Sequence, residues 1–332
     1  MKRLIGFLLI AGAFLTASCN CELSDGTGVV ETYVNVSFSA GGTKASAAYS
    51  GEYVINDVNL FVARIAPDGT EESVERYYTE TGSVSVKVKF PSEGYKYSFR
   101  AYGNFGSITA EPRVVEFSKA MSNGMKMHGE AVISESTAKT GSISMLMQRY
   151  VGKVVVNSVK LDWGSDYSGY FTLDEMYVAN AGKSNDFIAE SMYNPEGVHK
   201  VTDMDQYLYE DIGGIAMQNG DIHAYQHFFY AFNGYTSDNQ TSLIIAVTYE
   251  GEKMYYSIPL LLDENCCYVY DFVILGAGLD APYGDKVTME KSAIDVIVRS
   301  FSAEDWSEYS ETIYSEDTGY ADTDVEVQPD YS

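Results

Sequence analysis

Hydrophobic and polar residues alternate along most of this chain, in short runs set off by Gly, Asp, Asn and Ser, and no long helical periodicity interrupts them. Alternation with period two puts successive side chains on opposite faces of an extended strand, so the pattern predicts an all-β chain. The clearest run covers residues 30–38. Val30, Thr32, Val34, Val36 and Phe38 share one face, and Glu31, Tyr33, Asn35 and Ser37 share the other. Residues 57–65 give a second strand with Val58, Leu60 and Val62 inward, closed by Pro67-Asp68-Gly69, a turn-forming triplet. Val84, Val86, Val88 and Phe90 alternate with Ser85, Lys87 and Lys89, and Tyr95, Tyr97 and Phe99 continue the pattern. Between residues 112 and 139 it weakens, which predicts a long irregular excursion. Ile143, Met145 and Met147 then resume a strand.

Residues 148–152 read as a hinge, and residues 153–161 open a new sheet. Further strands are expected at 170–178, 227–232, 243–249, 254–262, 268–275 and 293–301. A polar insert at 180–222 divides them, with a short helix expected near 205–209. Beyond Trp306 the chain is acidic and poor in aliphatic residues, with room for one brief strand at 324–327. This spacing gives two antiparallel β-sandwich domains in tandem, 29–150 and 151–306, followed by an acidic tail at 307–332.

The first residues bear on the compartment. Lys2 and Arg3 precede an apolar run at 4–15, and Leu15-Thr16-Ala17-Ser18-Cys19 supplies small residues for a signal peptidase. A run this short falls below the roughly 20 residues a bilayer-spanning helix needs. Residues 1–18 therefore read as a signal peptide. Cys19 directly after the small residues points to a lipoprotein, acylated on that thiol, with 19–28 as a tether; more than one acyl chain makes such an anchor stable. An ordinary signal peptide followed by an incidental cysteine is the plainer alternative.

Losing residues 1–18 removes Lys2 and Arg3 and no acid, moving the formal charge from −25 to −27. So acidic a chain repels nucleic acid and anionic lipid surfaces, and no nucleic-acid partner is expected. Cys21 lies in the tether, and Cys266-Cys267 are adjacent, so no disulfide framework or zinc-finger spacing arises. His223 and His227 are four apart, but His227 opens the strand-like run Phe228-Phe229-Tyr230, so no metal site is expected. No nucleophile elbow or glycine-rich phosphate loop is present; Gly276-Ala277-Gly278 is a plain loop. Acidic pairs such as Asp174-Glu175 and Glu71-Glu72 are expected by chance among 47 acidic residues. No enzyme and no cofactor is expected.

One feature invites a mechanism. The first strand runs into a loop, Ala40-Gly41-Gly42-Thr43-Lys44-Ala45-Ser46-Ala47-Ala48, with a lysine among small residues. Such loop tips are where proteolytic nicking concentrates. A cut between Lys44 and Ala45 would free the strand at 30–38, and the open slot would present unpaired backbone groups to a strand from elsewhere. Lys44 as a solvated loop charge is the plainer reading.

Four stretches together resemble FimA-type fimbrillins, subunits of major and minor fimbriae. They are the lipobox with Ser24-Asp25-Gly26-Thr27-Gly28; the run from Val34-Asn35-Val36-Ser37-Phe38 through Thr43-Lys44-Ala45 to Ile55-Asn56-Asp57-Val58; the junction Met147-Gln148-Arg149-Tyr150-Val151-Gly152-Lys153-Val154; and the closing strands at 265–278 and 293–306. The resemblance implies two transthyretin-like β-sandwich domains and an outer-membrane lipoprotein anchored through Cys19. It implies cutting after Lys44 by an Arg- or Lys-specific protease, then assembly into a head-to-tail polymer with other fimbrial subunits. A C-terminal segment of one subunit would replace the first strand of the next, whose inward face is Val30, Val34, Val36 and Phe38. A host or bacterial surface receptor would be the target of adhesion. Lys44 stands where the family often has Arg, and the acidic tail makes a poor apolar donor, which fits a tip or anchor subunit. The rival is an uncleaved surface lipoprotein that binds glycans with exposed tyrosines; a β-sandwich glycosidase is the enzymatic rival.

Overall fold

The structure, a computed structural model, describes residues 29–40, 51–122, 124–166, 169–182, 184–185, 192–193, 205–232, 241–260, 262–282, 294–301 and 308–314. Its described elements are nearly all strands. In the first half they are β1 (Val30–Ala40), β2 (Val58–Ile65), β3 (Glu71–Thr79), β4 (Ser83–Phe90), β5 (Lys96–Gly103), β6 (Met127–Ser134) and β7 (Ser142–Arg149). Two single-turn helices, α1 (Phe117–Ala120) and α2 (Glu135–Ala138), flank β6. The Ser134 hydroxyl caps α2 by accepting from the Thr137 amide.

These seven strands follow the order β3-β2-β5-β6-β7-β1-β4. The step from β6 to β7 holds by two residue pairs only, Met127 with Arg149 and His128 with Gln148. The ladder therefore folds there into two facing layers, β3-β2-β5-β6 and β7-β1-β4. At this corner Gly129 is obligatory, because a Cβ on it would lie 2.7 Å from the Leu146 carbonyl oxygen. The inward rows of both layers (Leu60, Val62 and Phe99 from one, Val34, Val36, Val86 and Val88 from the other) are buried in one apolar core. At one edge turn, Gly69 takes φ +89° and the Asp68 carboxylate accepts the Thr70 amide, as the Pro-Asp-Gly triplet predicts.

The second half holds β8 (Gly152–Leu161), β9 (Phe171–Ala179), β10 (Ala181–Gly182), β11 (Met192–Tyr193), α3 (Asp205–Leu208), β12 (Tyr209–Met217), β13 (Ile222–His223), β14 (His227–Ala231), β15 (Ser242–Tyr249), β16 (Glu252–Pro259), β17 (Cys267–Ile274), β18 (Ile294–Phe301) and β19 (Glu308–Tyr314). One layer is β12-β9-β15-β16. The other has β8 between β17 and the successive short strands β13 and β14, and continues outward through β18 to β19.

The two halves repeat one topology. β1 runs antiparallel to β4 and parallel to β7; β8 runs antiparallel to β13 and β14 and parallel to β17. The facing layer β3-β2-β5-β6 has its counterpart in β12-β9-β15-β16. The chain is thus the all-β sandwich that alternation predicts, antiparallel among the described strands apart from one parallel pairing in each half. The predicted excursion at 112–139 contains β6, and the insert at 180–222 contains β12 as well as the expected short helix. Part of the acidic tail, expected to be largely irregular, is β19, paired along β18 from Val296–Tyr314 to Phe301–Glu308. Residues 324–327 lie outside the described residues.

Candidate functional site: the first strand and its surroundings

β1 carries the inward row that its alternation predicts. Val34 and Val36 are fully buried, Thr32 nearly so, and Val30 and Phe38 pack half-buried against the core, while Tyr33 on the opposite face is 59% exposed. Each buried valine is worth about 1.5–3 kcal/mol relative to solvent. Its backbone is engaged on both edges, from Val30 opposite Phe90 to Ser37 opposite Ser83, and from Asn35 opposite Ser142 to Ala40 opposite Met147. The Asn35 amide donates to the Gly141 carbonyl at 2.9 Å, and the Phe38 amide to that of Gly82 at 3.0 Å. Side-chain ties are few and exposed: Glu31 pairs with Lys87, and the Ser37 hydroxyl meets Ser144 Oγ at 3.0 Å. Exposed ion pairs contribute little. Strand β1 is therefore held by its ladder and its valines. Cys19, Lys44 and Ala45, the expected lipid-bearing and processing residues, lie outside the described residues.

The chain is described again from Gly51, and at once enters a buried polar knot that sequence reasoning did not foresee. Glu52 is fully buried. Lys153 Nζ, on β8, donates to both its carboxylate oxygens at 3.1 and 3.0 Å, and the Tyr230 hydroxyl, on β14, donates to Oε2 at 2.9 Å. Arg149, at the end of β7, donates from Nε to the Glu52 carbonyl at 2.9 Å and from a guanidinium nitrogen to Asn265 Oδ1 at 3.2 Å. The guanidinium lies 5.0 Å from the Tyr53 ring centroid. Burial, then the Glu52 charge, pushes the Tyr53 hydroxyl up to about 12 and raises Tyr230 as well, so both stay protonated donors. Burial lowers Arg149 from its ordinary value.

A second tie follows within five residues. Asn104, after β5, adopts φ +67° and is buried. Its Oδ1 accepts the Asn56 amide at 2.7 Å, its Nδ2 donates to the Val54 carbonyl at 2.8 Å, and its own amide donates to the Asp57 carbonyl at 2.9 Å. On the far wall of the slot, the Tyr97 hydroxyl of β5 crosses between layers to bond Lys89 of β4. It donates to the Lys89 carbonyl and accepts the Lys89 amide, both at 3.0 Å. The Tyr97 ring packs edge-on against Phe90 at 5.2 Å.

The remaining candidates lie in the second half of the chain. His223 and His227 lie with Nε2 atoms 2.8 Å apart, and His227 Nδ1 faces Glu210 at 3.0 Å. Among the described residues no group of three His, Cys, Asp or Glu is placed to hold a metal ion. Cys266 and Cys267 are free thiols, the latter buried at the start of β17 and pushed up to about 12 by that burial.

No family model matches the chain, and no curated protein matches its sequence. Solved structures do share its fold. A candidate cell adhesion protein of Bacteroides eggerthii matches with a TM-score of 0.54 at 14% identity, over 81% of this chain and 94% of that one. The fimbrilin (fimA) of Porphyromonas gingivalis matches with a TM-score of 0.52 at 12% identity, over 81% and 96%. A candidate cell adhesion protein of Parabacteroides distasonis gives 0.51 at 12% identity, over 81% and 96%. At such identities what is shared is the fold.

Proposed function

We propose that this chain is a structural subunit of a bacterial surface fimbria and contributes to adhesion. The observation that carries this reading is the fold shared with the fimbrilin of Porphyromonas gingivalis over 81% of the chain. In this reading, 29–150 and 151–306 are its two domains. Cys19 bears the lipid that holds the precursor at the outer membrane. A protease cuts between Lys44 and Ala45, and β1 then gives way to a strand from a neighbouring subunit. Val30, Val34, Val36 and Phe38 define what that strand must replace: an alternating row of medium-sized apolar side chains, β-branched at the centre. The geometry of β1 supports this part, because its attachments run through a ladder and an apolar row that another strand of the same pattern can reproduce. The C-terminal segment is the proposed donor, with β18 the more apolar of its two described strands.

Immunogold labelling with antibodies to this chain should decorate filaments sheared from the cell surface. Label confined to the membrane fraction, with filaments bare, overturns the fimbrial role and returns the lipoprotein reading without assembly.

A further inference from the structure

A sandwich that gives up a strand faces a second problem, which is to keep the slot open and of the right shape. The strands beside the slot lose their ladder partner, and the chain that followed the departed strand becomes a new, loose end. Unpaired edges and frayed ends are where local unfolding starts. If exchange proceeds as proposed above, β4 loses the one strand its sheet pairs it with, since it stands at the edge beyond β1.

We propose that residues 52–57 and Tyr97 form a frame that holds both sides of the slot when β1 is absent, so that strand loss stops at Glu52. This rests on the strand-exchange reading and extends it to the residues that hold the vacated slot in shape. The bonds described above run from the frame to elements other than β1. Glu52 is fastened to Lys153, Tyr230 and Arg149, which belong to β8, β14 and the end of β7. Val54, Asn56 and Asp57 are fastened to Asn104, which is held in turn by the Met125 carbonyl at 2.6 Å. Tyr97 bonds both backbone groups of Lys89 from the opposite layer, so β4, which carries the buried row Val86, Val88 and Phe90, keeps a polar tie that does not run through β1.

The chemistry suits the task. A buried carboxylate with a buried ammonium partner is far costlier to break than to leave alone, because either charge without the other is stranded in a low-dielectric interior. The knot therefore acts as a stop: peeling that reaches Glu52 must separate an ion pair. A hydroxyl that satisfies both the amide and the carbonyl of Lys89 likewise ties β4 to the opposite layer through bonds that β1 does not share.

The test uses the full chain with a protease recognition sequence inserted in the connection at 41–50, so that cutting does not depend on Lys44. After cleavage the β1 fragment is washed off in mild denaturant, and amide hydrogen exchange is read by mass spectrometry. In the cut wild-type chain, residues 52–57 and 86–90 should stay protected to within roughly threefold of the uncut chain. Glu52→Gln should speed exchange at 52–57 by roughly tenfold or more and leave 86–90 unchanged, and Tyr97→Phe should do the reverse. Tyr230→Phe, which removes one bond from the knot, should give a smaller rise at 52–57 and serves if Glu52→Gln does not fold. Free exchange at 52–57 in the cut wild type, or equal behaviour of the variants and wild type, overturns the frame. A β1 fragment that cannot be washed off overturns it too, since nothing then needs holding open. Native chain left uncut at Lys44 in the bacterium contradicts the processing reading alone, and the exchange results stand apart from it.

Discussion

The two sandwiches share a strand order and differ in how their opening strand is fixed. β1 lies between β4 and β7 with the long connection 41–57 on its C-terminal side. β8 is joined to β7 through Tyr150 and Val151, both buried, and pairs with β17 along its whole length from Lys153 to Leu161. It also carries Lys153, whose partner Glu52 belongs to the connection after β1. The same position in one topology is thus held by its ladder and apolar row in the first half and by a buried ion pair as well in the second. A repeat can keep its fold while one copy carries a buried ion pair on its opening strand and the other does not.

Charges placed in the two strands should separate them most sharply. Val156→Asp in β8 buries an unpaired carboxylate at a fully packed site, a cost on the order of 4–5 kcal/mol or more, and should leave no folded protein. Val36→Asp in β1 should instead expel β1 while the second sandwich stays folded, as read by hydrogen exchange along residues 243–259. If both variants unfold the whole chain alike, β1 is as integral as β8.

Next in size is the junction. Lys153→Met strands Glu52 and should cost about 3–5 kcal/mol in urea unfolding. Lys87→Met, which removes the exposed partner of Glu31 across β1 and β4, should cause no resolvable change. Equal losses would mean that the contacts of β1 matter as much as those of the knot.

Much of this contrast is legible in the sequence. Val30 to Phe38 alternate because one face is buried and one wet, and β4, β5, β7, β8, β15 and β17 announce themselves through runs of valine, isoleucine and aromatic residues. β3 gives no such signal because it is an edge strand with both faces largely exposed. Its Glu71 and Glu72 pair with Arg100 and Arg64 instead of with a core. β6 and β12 escape for related reasons: Gly129 serves a close approach, and β12 interrupts its register between Asp211 and Ile215, across Gly213 and Gly214. The knot was half legible. Lys153 is an out-of-pattern charge in an apolar strand, which is the mark of a buried partner. Glu52 carries no mark in the sequence, since its partners lie 101 and 178 residues away.

The smallest effect concerns the counterpart of β4. In the second half that place is taken by β13 and β14, whose His223 and His227 meet beside Glu210, whereas β4 has no histidine. Burial, then His227, holds His223 below its ordinary value of 6.5. The unfolded chain therefore binds the extra proton more readily. Stability should be full above about pH 6.5 and fall as the pH drops through the window beneath it. Urea midpoints at about pH 7.5 and 5.5 should differ more for the wild type than for His223→Gln. An identical difference in both would remove the histidine pair from the contrast.

The most direct measurement is the N-terminal residue of this protein in filaments sheared from the cell surface. A chain beginning at Ala45 means that β1 has been severed and the subunit polymerises without it. A chain that still begins at an acylated Cys19, and stays with the membrane, means that β1 never leaves and that strand exchange is not how this subunit works.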